Sequence, residues 1–77
     1  MQRQFGHERY WSTSIDHTDG YAGLQLHRER FGNTDIVAQV VFWDADGHFY
    51  VQTFGCDVPV EIIETVIAEA KEQVRVR

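Results

Sequence analysis

The sequence predicts an α+β domain: a four-stranded antiparallel meander followed by one C-terminal helix packed on one face, in the order ββββα. Three observations carry this reading. Two Asp-Gly signals, Thr18-Asp19-Gly20 and Ala45-Asp46-Gly47, each sit between apolar and aromatic runs; Gly32-Asn33 lies midway between them; and after Gly55 the apolar spacing changes from two residues to the helical period.

The first expected strand, near residues 8–16, leads into Thr18-Asp19-Gly20, read as a three-residue hairpin loop with glycine in the left-handed position. That loop sets His17 opposite Tyr21, Ile15 opposite Gly23, Trp11 opposite His27, Arg9 opposite Glu29 and Glu8 opposite Arg30. Two opposite-charge pairs fall out of the count, each worth a few tenths of a kcal/mol up to about 1. The second strand, near 21–30, turns at Gly32-Asn33, a two-residue connection with glycine first. This register places Arg30 opposite Asp35, Leu26 opposite Gln39, Leu24 opposite Val41 and Ala22 opposite Trp43.

The third strand, near 36–43, and the fourth, near 48–54, flank the second Asp-Gly loop. A three-residue loop there pairs Asp44 with His48, Trp43 with Phe49, Val41 with Val51 and Ala38 with Phe54. The helix is expected near 59–74, because Pro59, Ile62, Ile63, Val66, Ile67, Ala70 and Val74 recur on one face with Glu61, Glu64, Lys71, Glu72 and Arg75 opposite them. Pro59 suits a first helical position, and acidic residues early with basic ones late suit the helix dipole.

Alternation assigns Tyr10, Ser12, Ser14, Leu24, Leu26, Val37, Val41, Trp43, Phe49 and Val51 to the side under the helix. The other side then carries Trp11, Ile15, Tyr21, Ile36, Ala38, Val40, Phe42, Tyr50 and Phe54, with Thr13, Gln25, His27 and Gln52 among them. The stretch from Ile36 to Trp43 is apolar on both sides, as in a strand buried on both faces. Four strands about 20 Å long and about 4.8 Å apart present on the order of 400 Å², a patch monomers rarely leave exposed. Trp11, Ile15, Tyr21, Ile36, Val40, Phe42, Tyr50 and Phe54 are therefore the expected interface, covered by a second copy or by a protein partner.

The 77 residues suffice for one domain, 1–77, with no proline-rich linker or composition break. One cysteine, Cys56, excludes an intrachain disulfide. The four histidines, His7, His17, His27 and His48, lack the close spacing of a structural zinc site, so no metal or cofactor is expected. Small domains without such staples gain stability by oligomerising. A net charge of -5 with a single lysine, Lys71, argues against nucleic acid. No apolar run is long enough to cross a membrane and none resembles a signal peptide, which makes the cytoplasm the expected compartment.

Candidates for chemistry each have a simpler account. Cys56 precedes the helix, where a thiolate can be stabilised, yet without a base or orienting group it reads as a small buried filler. His27 and His48 are possible bases near a small-molecule pocket, but one pairs with Trp11 and the other flanks a turn. Asp44, Asp46 and Gly47 resemble part of a calcium loop, but Phe42 and Thr53 stand where oxygen ligands belong. Trp11, Tyr21, Phe42, Tyr50 and Phe54 could stack single-stranded bases; the basic groove is missing, since Glu8, Glu29 and Asp35 accompany Arg9, Arg28 and Arg30. The main reading is a non-enzymatic interaction or homodimerisation module using the aromatic side of its sheet.

Overall fold

The computed structural model describes residues 1–15, 21–43 and 45–73. It contains one antiparallel sheet of five strands in chain order, β1 (Gln2–Phe5), β2 (Glu8–Ile15), β3 (Tyr21–Arg30), β4 (Asn33–Trp43) and β5 (His48–Thr53), followed by α1 (Val60–Gln73). The meander and C-terminal helix are those expected from the sequence, with five strands in place of four. The additional strand, β1, pairs with β2 through Gln2 opposite Trp11 and Phe5 opposite Glu8. Gln2-Arg3-Gln4-Phe5 has no apolar alternation to announce it. Its one local signal is Gly6, at φ 61° in the two-residue turn before β2.

The β2–β3 pairing has Arg9 opposite Glu29, Trp11 opposite His27 and Ile15 opposite Gly23, the register predicted by counting. The Thr18-Asp19-Gly20 loop and the His17–Tyr21 pair lie outside the described residues. The β3–β4 register differs from expectation. Phe31-Gly32 makes the turn, with φ 52° and 80°, and closes on Arg30 opposite Asn33. Both positive angles fit the type I′ hairpin twist, so the glycine is the second central residue and Asn33 is already in the strand. Arg28, not Arg30, then faces Asp35.

A bulge between Leu26 and His27 moves the register again. His27 lies opposite Ile36 and Leu26 opposite Ala38, which leaves Val37 as the extra residue. Beyond it, Leu24 faces Val40 and Ala22 faces Phe42, one step from the expected Val41 and Trp43. The last hairpin also shifts by one. Trp43 pairs with His48, leaving four residues in the loop, and Gly47, at φ 72°, donates its N–H to the Trp43 carbonyl at 2.8 Å. The strand partners are consequently Phe42 with Phe49, Val40 with Val51 and Ala38 with Thr53; the expected Asp44–His48 pair involves a residue outside those described.

These shifts decide which side chains reach the core. Val37 and Ala38 are consecutive, yet both are buried with Tyr10, Leu24, Leu26 and Val40 against Ile62, Val66 and Ala70 of α1. Ordinary alternation forbids this; a bulge permits it. Val40 and Phe42, expected on the uncovered side, are 1% and 6% exposed, and Phe42 follows Val40 on the helix side with its ring 5.0 Å from that of Phe49. Val41 and Trp43, expected under the helix, take the other side. Each fully buried Val, Leu or Ile contributes about 1.5–3 kcal/mol. Near Gly23 the sheet leaves no room for a side chain: a Cβ there would lie 2.0 Å from the Val40 carbonyl oxygen.

The helix starts beside Pro59, whose carbonyl accepts from the N–H groups of Ile62 and Ile63 at 3.0 and 3.1 Å. Its buried stripe is Ile62, Val66 and Ala70. At its other end Glu69 reaches β2, accepting from Ser12 Oγ at 2.6 Å and from the Met1 nitrogen at 2.7 Å. Glu69 thereby ties the helix to the N-terminal side of the sheet; alternation places Ser12 under the helix, but Glu69 lies outside the apolar stripe and is not expected to meet it.

Candidate interaction surface

The side of the sheet away from α1 is ordered in cross-strand rows set by the registers above. The first row is Gln2, Trp11, His27 and Ile36; the second Thr13, Gln25, Gln39 and Gln52; the third Ile15, Gly23, Val41 and Tyr50; and Trp43 and His48 close the fourth. In the backbone register Tyr21 lies opposite Trp43. The surface is therefore two apolar patches separated by a polar row: Thr13, Gln25 and Gln52, expected scattered on this side, line up with Gln39. In the polar row the side chains of Gln39 and Gln52 hydrogen-bond to each other.

In the first patch Trp11 and His27 stack at 5.4 Å with 9° between ring planes, and the Arg9 guanidinium lies 5.3 Å from the Trp11 ring. Thr13 Oγ1 and His27 Nε2 are hydrogen-bonded at 2.8 Å, and Arg9 pairs with Glu29 at 3.4 Å. Trp11 is half-buried by these neighbours, whereas Ile36 at the same row's end is 43% exposed.

The second patch lies toward the β4–β5 loop. Trp43 and Tyr50 are 38% and 43% exposed and line a shallow depression of about 460 Å³ with Ala45, Asp46, Val51 and Gln52. Asp46 shapes its rim, accepting from the Tyr50 hydroxyl at 2.5 Å and from the His48 N–H at 3.1 Å. The Tyr50 hydroxyl and the His48 amide hold the Asp46 carboxyl below its ordinary value, and Asp46 in turn raises the Tyr50 phenol. Asp46 thus works within the turn, as the hairpin reading of Asp-Gly implies.

Of the eight expected interface residues, Trp11, Ile15, Ile36 and Tyr50 lie on this open side, Tyr21 enters its backbone register, and Phe54 is 49% exposed just past β5. Val40 and Phe42 are in the core, for the reason given above. Trp43 is the residue that alternation missed; the bulge at Val37, which the sequence does not announce, turned it outward together with Val41.

The chemical candidates are kept apart. Cys56 packs against the helix-side core with Sγ 3.8 Å from the Val37 carbonyl, so the sheet separates it from His27. His48 stands three rows from His27, about 20 Å along the strands. Among the described residues no three His, Cys, Asp or Glu side chains are grouped to hold a metal. The basic residues at the far end are engaged: Glu8 lies 3.3 Å from Arg30 and 4.0 Å from Arg28, and accepts from the Tyr10 hydroxyl at 2.7 Å. No described helix is long and apolar enough to cross a membrane.

Comparison with known proteins adds no family to this geometry, since no family model, curated protein or solved structure matches the chain.

Proposed function

We propose that this chain is a non-enzymatic interaction module that takes a second copy of itself, or another protein, on the uncovered side of its sheet. The observation that carries the reading is the apolar surface left at the β4–β5 side of the molecule after the helix has covered the opposite face: Trp43, Tyr50 and Phe54 are each between 38% and 49% exposed. Exposed large side chains gathered in one region, with a few polar groups at the rim, are what a protein contact uses. A 77-residue chain with one cysteine also has reason to gain stability from association.

The test compares Tyr50→Glu with Glu64→Lys, a change on the exposed helix surface. Tyr50→Glu is expected to lower the solution mass or expose the chain to aggregation, while Glu64→Lys leaves mass and thermal stability unchanged. Indifference to both substitutions would remove the uncovered side from the account.

A further inference from the structure

We infer that the free edge of β5 is where a second copy of this chain joins the sheet, antiparallel and about a two-fold axis at Val51. This rests on the reading of the chain as an interaction module and names the partner and the contact.

Strand β5 is an edge strand in which every residue but Phe49 is exposed. Edge strands of natural proteins are protected by charges, prolines or bulges, because their unpaired N–H and C=O groups recruit other strands. Strand β5 has none of these: it contains no Asp, Glu, Lys, Arg or Pro, and its pairing with β4 runs without interruption. Each of the other four strands contains at least one charged residue, and the opposite edge, β1, carries Arg3. In a molecule of net charge -5, the uncharged strand is where two copies meet without placing like charges opposite one another.

The hydrogen-bond phase fixes the register. The Phe54 N–H donates to the Val37 carbonyl at 3.0 Å, continuing the β4–β5 ladder one step beyond Ala38 and Thr53. Bonded and non-bonded pairs alternate in an antiparallel ladder, so residues 48, 50 and 52 turn their backbone groups toward β4. Phe49, Val51 and Thr53 turn theirs outward. A two-fold axis at Val51 pairs Val51 with its own copy and Phe49 with Thr53 of the copy, which satisfies all of these outward groups. An axis at Tyr50 would aim Thr53 at Gly47, whose N–H is already given to Trp43. In the Val51 register that side chain, 43% exposed beyond the helix, packs against its equivalent, and Tyr50 covers Gln52 of the copy on the open face. The product is a ten-stranded sheet with both helices on one side. A contact along a single strand of about 20 Å lies at the small end of protein interfaces, below about 1,200 Å², so the dimer dissociates on dilution.

The test is solution mass by light scattering over a concentration series for the unaltered chain, Val51→Pro, Val51→Lys and Ile36→Glu, with circular dichroism as the check on folding. Proline at 51 removes an N–H that faces away from β4, a position where edge strands tolerate it; lysine there sets two like charges on the axis. Both are expected to be folded monomers at concentrations where the unaltered chain and Ile36→Glu are dimers. If folded Val51 variants stay dimeric, the edge contact is overturned, and loss of the dimer in Ile36→Glu would then assign it to the open face, leaving the homodimer reading intact. A species larger than a dimer would overturn the two-fold register, and a monomer at every concentration would overturn both the edge contact and the self-association reading.

Discussion

Glu8 collects more partners than any other carboxylate described on the sheet, and its environment makes a prediction about acid. Its carboxyl is held below the ordinary value of 4.5, first by the hydrogen bond from Tyr10 and then by the charges of Arg28 and Arg30, against some desolvation. Tyr10 is shifted the other way, chiefly by its own burial and then by Glu8. A carboxyl whose pKa is lower folded than unfolded leaves the unfolded chain binding more protons on acidification. The stability Glu8 contributes is therefore complete above about pH 4.5 and lost as pH falls through its lower folded value. Arg28 raises the stakes, since its Nε is buried without a hydrogen-bond partner and Glu8 lies 4.0 Å from its Nη1. Glu8→Gln is expected to lower the melting temperature at neutral pH and to flatten its decline between neutral and acidic pH. Thermal melts of both chains across that range check this, and parallel curves would contradict it. The Glu8–Arg30 attraction was legible by counting across the first hairpin; Tyr10 as a second partner was not, because it comes from the same strand two residues away.

At the scale of elements, the number of residues in each connection decided what could be read. Counting worked for β2 and β3, giving the observed partners of Arg9, Trp11 and Ile15. It failed by one or two steps in β3–β4 and β4–β5 because turn chemistry identifies that a turn exists more securely than where it closes. Phe31 is the clearest case. It occupies a left-handed position at φ 52° and is 82% exposed, in a type I′ turn where asparagine is the favoured residue before glycine. No reading of propensities places a phenylalanine there. Left-handed backbone costs a non-glycine residue roughly 1–2 kcal/mol, less for asparagine, and the Arg30 guanidinium 6.0 Å from the Phe31 ring returns at most about 0.5–1 kcal/mol at an exposed site. Phe31→Asn is accordingly expected to stabilise the fold by about 0.5–1 kcal/mol, raising the melting temperature by several degrees in a domain of this size. An unchanged or lower melting temperature would mean that the aromatic contact outweighs the backbone cost. The bulge at Val37 lies beyond such counting altogether, since its signature in the sequence, two adjacent apolar residues in an apolar run, is shared by any buried strand.

For the whole molecule, the α+β class, the order of strands and the C-terminal position of the helix followed from periodicity, because a two-residue and a 3.6-residue repeat are distinguished over many residues and tolerate local slips. The faces are less forgiving, since a one-residue slip exchanges them. That is why Val40 and Phe42 moved to the helix side while Val41 and Trp43 moved to the other, where Val41 is still buried at 1% exposure and Trp43 is 38% exposed. The correction makes the open side more polar than the sequence suggested and shifts the apolar excess toward β5, the strand with no charge and no covered edge. We propose, as the central claim, that this small chain self-associates through that surface. Solution mass measured by light scattering on the unaltered chain across a dilution series tests that claim most directly: the account predicts twice the chain mass at high concentration, falling toward a folded monomer on dilution, and a folded monomer with constant mass at every concentration would contradict it.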